Sequence, residues 1–234
     1  MKPEEQFAAP AKRLVWDLPV RLFHWLLALL VGAAWLSAEF EWMEVHFYAG
    51  YAIATLLLFR LAWGLAGPRY ARFASFVVGP RRALAYLRGW LKGTADEPAG
   101  HTPAGGWMIL ALLALLAVQV ASGMVNSHDG LDAGPWYWAA SDGLRDLAGK
   151  AHATGFDILL ALVAVHVAAV VLYLWKPGIN LVAAMLSGRK KTIEPGIPGS
   201  RLPLALLLLA AAAAGVWYLV SSAPGPSLSD LGLY

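Results

Sequence analysis

Six histidines and no cysteine set the metal chemistry open to this 234-residue chain. Without thiols, disulfides, thiolate zinc sites, cysteine-held iron–sulfur clusters and covalently attached c-type haem are excluded, so a metal or haem falls to His, Met or carboxylate. Four histidines form a pattern. His152 and His166 bracket HATGFDILLALVAVH, an apolar run in which histidine is costly and needs a partner. Fourteen residues separate them, close to four helical turns, so they point the same way within about 40° and lie about 21 Å apart along the axis. His46 matches His152 in depth, and His24 matches His166. Two bis-histidine pairs stacked across a membrane suit two b-type haems (haem b) held between helices. With neutral imidazole on both axial positions the iron is six-coordinate, fitted to electron transfer rather than oxygen chemistry. A lone interfacial histidine is more simply a solvated or hydrogen-bonded residue, but four at two matched depths favour the ligand reading.

The neighbours agree. Gly50 follows His46 by one turn and Gly155 follows His152 by three residues, and small residues there leave room for a flat macrocycle against the backbone. Arg60, fourteen residues after His46, lies on nearly the same face at the depth of the inner pair. Arg60 and Arg21 could pair with haem propionates; an Arg60 that snorkels to the interface fits almost equally well. His101, in GHTPAGGW, reads first as a capping or interface residue. His128, in SHDG, reads as ordinary turn chemistry in an exposed loop. Trp35, Trp63, Trp107, Trp175 and Trp217 fall near span ends, as an aromatic belt requires.

The elements that must carry these residues are membrane helices. The chain is 59% hydrophobic and 14% charged, with mean hydropathy +0.58. Five apolar stretches, 20–38, 46–65, 106–125, 152–175 and 203–220, are long enough for a bilayer core of roughly 30 Å, which takes about 20 helical residues. The first is too long for a signal-peptide core and reads as an anchor. Basic residues collect in three places: Lys2, Lys12 and Arg13 before the first span; Arg69, Arg72, Arg81, Arg82, Arg88 and Lys92 between the second and third; Lys176, Arg189, Lys190, Lys191 and Arg201 between the fourth and fifth. The opposite loops are acidic, EFEWMEV with three glutamates and 126–150 with four aspartates against Arg145 and Lys150. The Lys/Arg bias puts the basic segments and the N-terminus in the cytoplasm and the C-terminus outside. The expected order is a cytoplasmic tail (1–19), a four-helix haem domain (20–176), a basic cytoplasmic linker (177–202), a fifth transmembrane helix (203–220) and an outer tail (221–234). The fold class is an all-α membrane protein, a four-helix haem-binding bundle plus one helix. Net charge is +3 with no single basic patch, which argues against nucleic acid as a partner.

VWDLPVRLFHW, HFYAGY, FRLAWGLAGPRYARF, GHTPAGGW, HATGFDILLALVAVHV and NLVAAMLSGRK together resemble the prokaryotic cytochrome b561 family, which includes b-type cytochrome subunits of nickel–iron hydrogenases. The resemblance runs over about residues 14–191. It implies a four-helix bundle in the bacterial inner membrane, with two haem b groups and His24, His46, His152 and His166 at the ligand positions. It also implies electron passage between membrane quinone and a periplasmic dehydrogenase subunit or c-type cytochrome. His101 then falls near a quinone or a haem propionate. The fifth span is not supplied by the four-helix core. Two other functions compete. A superoxide:quinone oxidoreductase would use His128, Arg145 and Lys150 as an outer anion site, against the net acidity of that loop. A proton or metal transporter lined by histidine needs carboxylates through the spans, where Asp157 and Gln119 are thin support.

Overall fold

The computed structural model describes residues 9–95, 97–129, 132–175 and 180–227. Lys2, Gly130, Lys176 and residues 228–234 of the outer tail lie outside them. In chain order the described residues form β1 (Ala11–Leu14), α1 (Leu18–Glu39), α2 (Met43–Ala66), α3 (Pro80–Leu91), α4 (Pro103–Gly123), α5 (Asp142–Leu174), α6 (Leu181–Ser187), β2 (Arg189–Thr192) and α7 (Leu202–Ser221), with 3-10 turns at 69–71 and 73–75. Five of these, α1, α2, α4, α5 and α7, are long and apolar enough to cross a membrane.

Local chemistry sets two of the starts. The Asp17 carboxylate accepts from the Val20 amide at 2.9 Å, with Pro19 in the first turn of α1. The Thr102 hydroxyl accepts from the Gly105 amide at 3.0 Å ahead of Pro103 in α4. Each cap satisfies an amide the helix leaves open, worth about 1 kcal/mol. Helix α1 packs on α2, α4 on α5 and α2 on α4, while α7 lies against α2. The shared core is built from Phe23, Ile53, Leu57, Phe59, Leu113, Leu116 and Leu159, and α7 reaches it through Ala205 and Ala212. Small side chains let a helix approach closely where lipid supplies no hydrophobic drive. Large apolar residues such as Leu29, Leu65 and Leu206 point outward, as a lipid solvent permits.

Four details differ from the sequence reading. First, α5 begins at Asp142, ten residues before the expected span. DGLRDLAGK is too polar to read as a membrane helix, yet Ser141 at the N-cap and Asp142 in the first turn suit a helix that continues into water. Second, the expected tail and linker are joined in an antiparallel sheet, with Ala11 opposite Thr192 and Leu14 opposite Arg189. Gly188, at φ 77°, turns the chain into that sheet. A Cβ there would meet the Trp16 carbonyl oxygen at 2.5 Å, so only glycine fits. Third, the basic segment after α2 contains α3, whose Leu84, Leu87 and Leu91 fall at helical spacing. Fourth, Trp63 is not a belt residue: it is fully buried, and its indole donates to Asp17 Oδ1 at 3.1 Å.

Candidate functional site

The bundle positions four imidazoles in two facing pairs. His46 on α2 and His152 on α5 have ring centres 6.0 Å apart; His24 on α1 and His166 on α5 have ring centres 6.3 Å apart. At these spacings facing ring nitrogens are beyond direct hydrogen-bond reach. Two metal–nitrogen bonds of about 2 Å, each ring centre about 1 Å behind its nitrogen, span roughly 6 Å. Each pair therefore has the separation that would let one metal be held between two imidazoles. Among the described residues there is no group of three or more His, Asp or Glu arranged to hold a bare metal ion.

At the outer level the backbone prepares the rings. His46 Nδ1–H donates to the Ala34 carbonyl at 2.8 Å. His152 Nδ1–H donates to the Gln119 carbonyl at 3.0 Å, with the Ser122 hydroxyl 3.2 Å away. A carbonyl can only accept, so in each ring the proton sits on Nδ1 and the Nε2 lone pair is left for a metal. Gly123 lets the His152 ring lie against α4, since a Cβ there would come within 3.0 Å of that ring.

Both outer rings line a cavity of about 500 Å3 with Trp35, Gly50, Gln119 and Phe156. Its size is that of a cofactor pocket. A Cβ on Gly50 would meet nothing within 4 Å, which puts the position at open space along the wall. Gly155 faces α4: a Cβ there would meet Gln119 Oε1 at 2.6 Å, so the glycine serves the close approach of α5 to α4. Gln119, missed as a site residue because a lone amide in an apolar run gives little signal, is buried with Oε1 unpartnered. His128 is exposed but lines the mouth of the same cavity with Asn126 and Asp132.

Toward the inner end the fold buries two arginine groups. Arg60 is only 3% exposed, with its guanidinium 4.7 Å from the centre of the Phe73 ring and Nη1 buried without a partner. That burial excludes snorkelling. A buried guanidinium with an open N–H fits a carboxylate brought by a ligand. Arg21 Nη1 donates to the Leu186 carbonyl, and its Nε is buried and unpartnered. His24 Nδ1 is likewise buried without a partner.

Below this level the sheet and its surroundings form a cap. His101 sits between Trp16 and Phe76, tilted to both rings at 4.3 and 4.5 Å between ring centres, and no ring contact joins it to either imidazole pair among the described residues. Burial, and then the charges of Arg60 and Lys190, hold its pKa down to about 3, so it is neutral at ordinary pH. Burial also lowers Lys190 and raises the Asp17 carboxyl, the latter opposed by the Val20 amide, the Trp63 indole and Arg60.

The outer anion site that a superoxide oxidase would need is weakened by Arg145. Its Nε donates to the Tyr137 carbonyl at 3.0 Å, Nη1 pairs with Asp142 at 3.3 Å, and the guanidinium lies 4.3 Å from the Tyr137 ring centre.

Comparison with known proteins gives one family and two relatives. The family model described as prokaryotic cytochrome b561 matches residues 15–188. The chain is 26% identical over 187 residues to a "Probable Ni/Fe-hydrogenase B-type cytochrome subunit" of Azotobacter chroococcum mcd 1, and equally to one of Azotobacter vinelandii; each match covers 65% of this chain and 78% of the relative. No solved structure matches.

Proposed function

The chain belongs to the prokaryotic cytochrome b561 family, and from that premise we propose that it is a diheme b-type cytochrome carrying electrons between membrane quinone and a periplasmic redox partner. A multi-pass membrane cytochrome is what the family and the five apolar helices establish; the haem number, the ligands, the quinone and the partner are our reading. The observation that carries it is the spacing of the imidazole pairs, 6.0 and 6.3 Å between ring centres.

When bound, haem supplies one-electron exchange between ferric and ferrous iron. The chain's own residues hold and tune it. His46 and His152 would ligate the outer haem with their tautomers fixed by Ala34 and Gln119, and Gly50 keeps the wall flat. His24 and His166 would ligate the inner haem, with Arg60 and Arg21 toward its propionates. The distribution of Lys and Arg supports a cytoplasmic N-terminus and a periplasmic C-terminus in the inner membrane. Glu39, Glu41, Glu44, Asp132, Asp142 and Asp146 then make the outer face acidic, suited to a locally basic partner. The relatives' name points to a nickel–iron hydrogenase as one such partner, and a c-type cytochrome is the other class.

The test is a haem count with electron paramagnetic resonance on the purified protein. Two haem b per chain, both low-spin with bis-imidazole signals, are expected. One haem, or a high-spin five-coordinate centre, would overturn the diheme assignment.

A further inference from the structure

A second cavity, of about 260 Å3, opens where the helix beyond the family core meets the end of α2. Arg69 and Arg72, from the turns after α2, line it together with Arg201, the residue before α7, and the 195–199 segment. Arg72 makes no side-chain hydrogen bond or ion pair among the described residues. Arg201 gives one N–H, from Nη1 to the Ala66 carbonyl at 3.1 Å, and keeps the rest of its fork. Arg69 lies 3.5 Å from Glu194, with both side chains partly exposed. One carboxylate against three guanidinium groups leaves the cavity net positive, and a guanidinium fork suits phosphate oxygens, which can take two of its N–H groups at once.

Two further features bear on the ligand. Arg201 holds φ 45° and ψ 46°, a left-handed backbone that residues with a Cβ avoid, and its side chain lines the cavity. Strain of that kind clusters at ligand clamps. The cavity also sits at a definite depth: Ala66 is the last residue of α2 and Leu202 the first of α7, so both spans leave the apolar layer here. That is the level of lipid headgroups, whichever leaflet it faces. On the same side of the chain α3 carries Arg81 and Arg88 flanking its leucines and Arg82 opposite them, a basic amphipathic helix suited to an anionic surface.

We propose that Arg69, Arg72 and Arg201 form a phosphate site at the joint of α2 and α7, and that an anionic phospholipid headgroup fills it and clamps α7 to the bundle. The lipid source is favoured by the depth; free phosphate shares the chemistry and is separated by experiment. The full-length holoprotein in neutral detergent is titrated with phosphatidylglycerol, phosphatidylcholine and, separately, inorganic phosphate, and read by native mass spectrometry. One phosphatidylglycerol should be retained at least tenfold more tightly than phosphatidylcholine. Arg72→Gln should remove most of that preference with haem content unchanged, and Arg69→Gln should weaken it in the same direction. Inorganic phosphate that displaces the lipid at equal concentration would overturn the lipid source and leave a free-anion site. Equal retention of the two lipids, or a preference unchanged in both variants, would overturn the site itself.

Discussion

At the outer pair both Nδ1 atoms reach backbone carbonyls, Ala34 for His46 and Gln119 for His152, whereas at the inner pair the Nδ1 of His24 is buried with no acceptor among the described residues. The rings of the two pairs stand almost equally far apart, so the difference lies in what surrounds them. A carbonyl on Nδ1–H fixes the tautomer and makes Nε2 a better donor, which favours ferric iron. Toward the inner end the buried Arg60, between Phe73 and the Asp17 side, is the cation we assign to the propionates of the inner haem, where it would favour the added electron. Both influences act in one direction: the inner haem is expected at the higher potential. One helix, α5, thus serves two sites that the rest of the fold makes unequal.

The largest effect that could break this comparison is loss of a ligand. His166→Ala should remove the inner haem and keep the outer, halving haem content, and His46→Ala should do the reverse. The surviving haem of His166→Ala should titrate at the lower of the two wild-type potentials. Survival of both haems in either variant would break the pairing, and reversed surviving potentials would mean that the carbonyls on Nδ1 and the Arg60 charge do not set the order. A smaller effect follows from Arg60→Gln. Removing a partly screened charge, about 1–2 kcal/mol, should lower the inner potential by roughly 50–100 mV and leave the outer one in place. A shift confined to the outer haem would contradict the placement of Arg60.

The helices and the phase of His152 and His166 were legible because apolar length and a fourteen-residue spacing are written in residue types. The hydrogen bonds that orient the outer rings were not, since their acceptors are carbonyls of Ala34 and Gln119 that any residue would offer. Gly155 is a related case: a glycine signals close approach but not of what, and its nearest neighbour across the helices is Gln119. The β1–β2 pairing was hidden by distance, for Leu14 and Arg189 lie on short basic strands at opposite ends of the four-helix core. Trp63 followed the same logic, because its partner Asp17 precedes it by 46 residues. α3 is the contrary case, its apolar residues standing at helical spacing behind Pro80 in the sequence itself.

The smallest expected effect concerns His101, the third imidazole near the inner end. If it stood in for His24 or His166, replacing it would cost a haem. Its place between Trp16 and Phe76 argues otherwise, so His101→Gln should keep both haems and both spectra. What should change is the acid limb of stability. The pKa of His101 is near 3 in the fold and about 6.5 in an unfolded chain. Between those values the unfolded chain binds the extra proton, so stability is full above about pH 6.5 and falls as pH drops toward 3. Gln carries no titrating group, so the variant should lose a slope of up to one proton over that window, read as melting temperature against pH by tryptophan fluorescence. An unchanged slope would mean that His101 is not held neutral by the cap, and a lost haem would move it from the cap into the inner site.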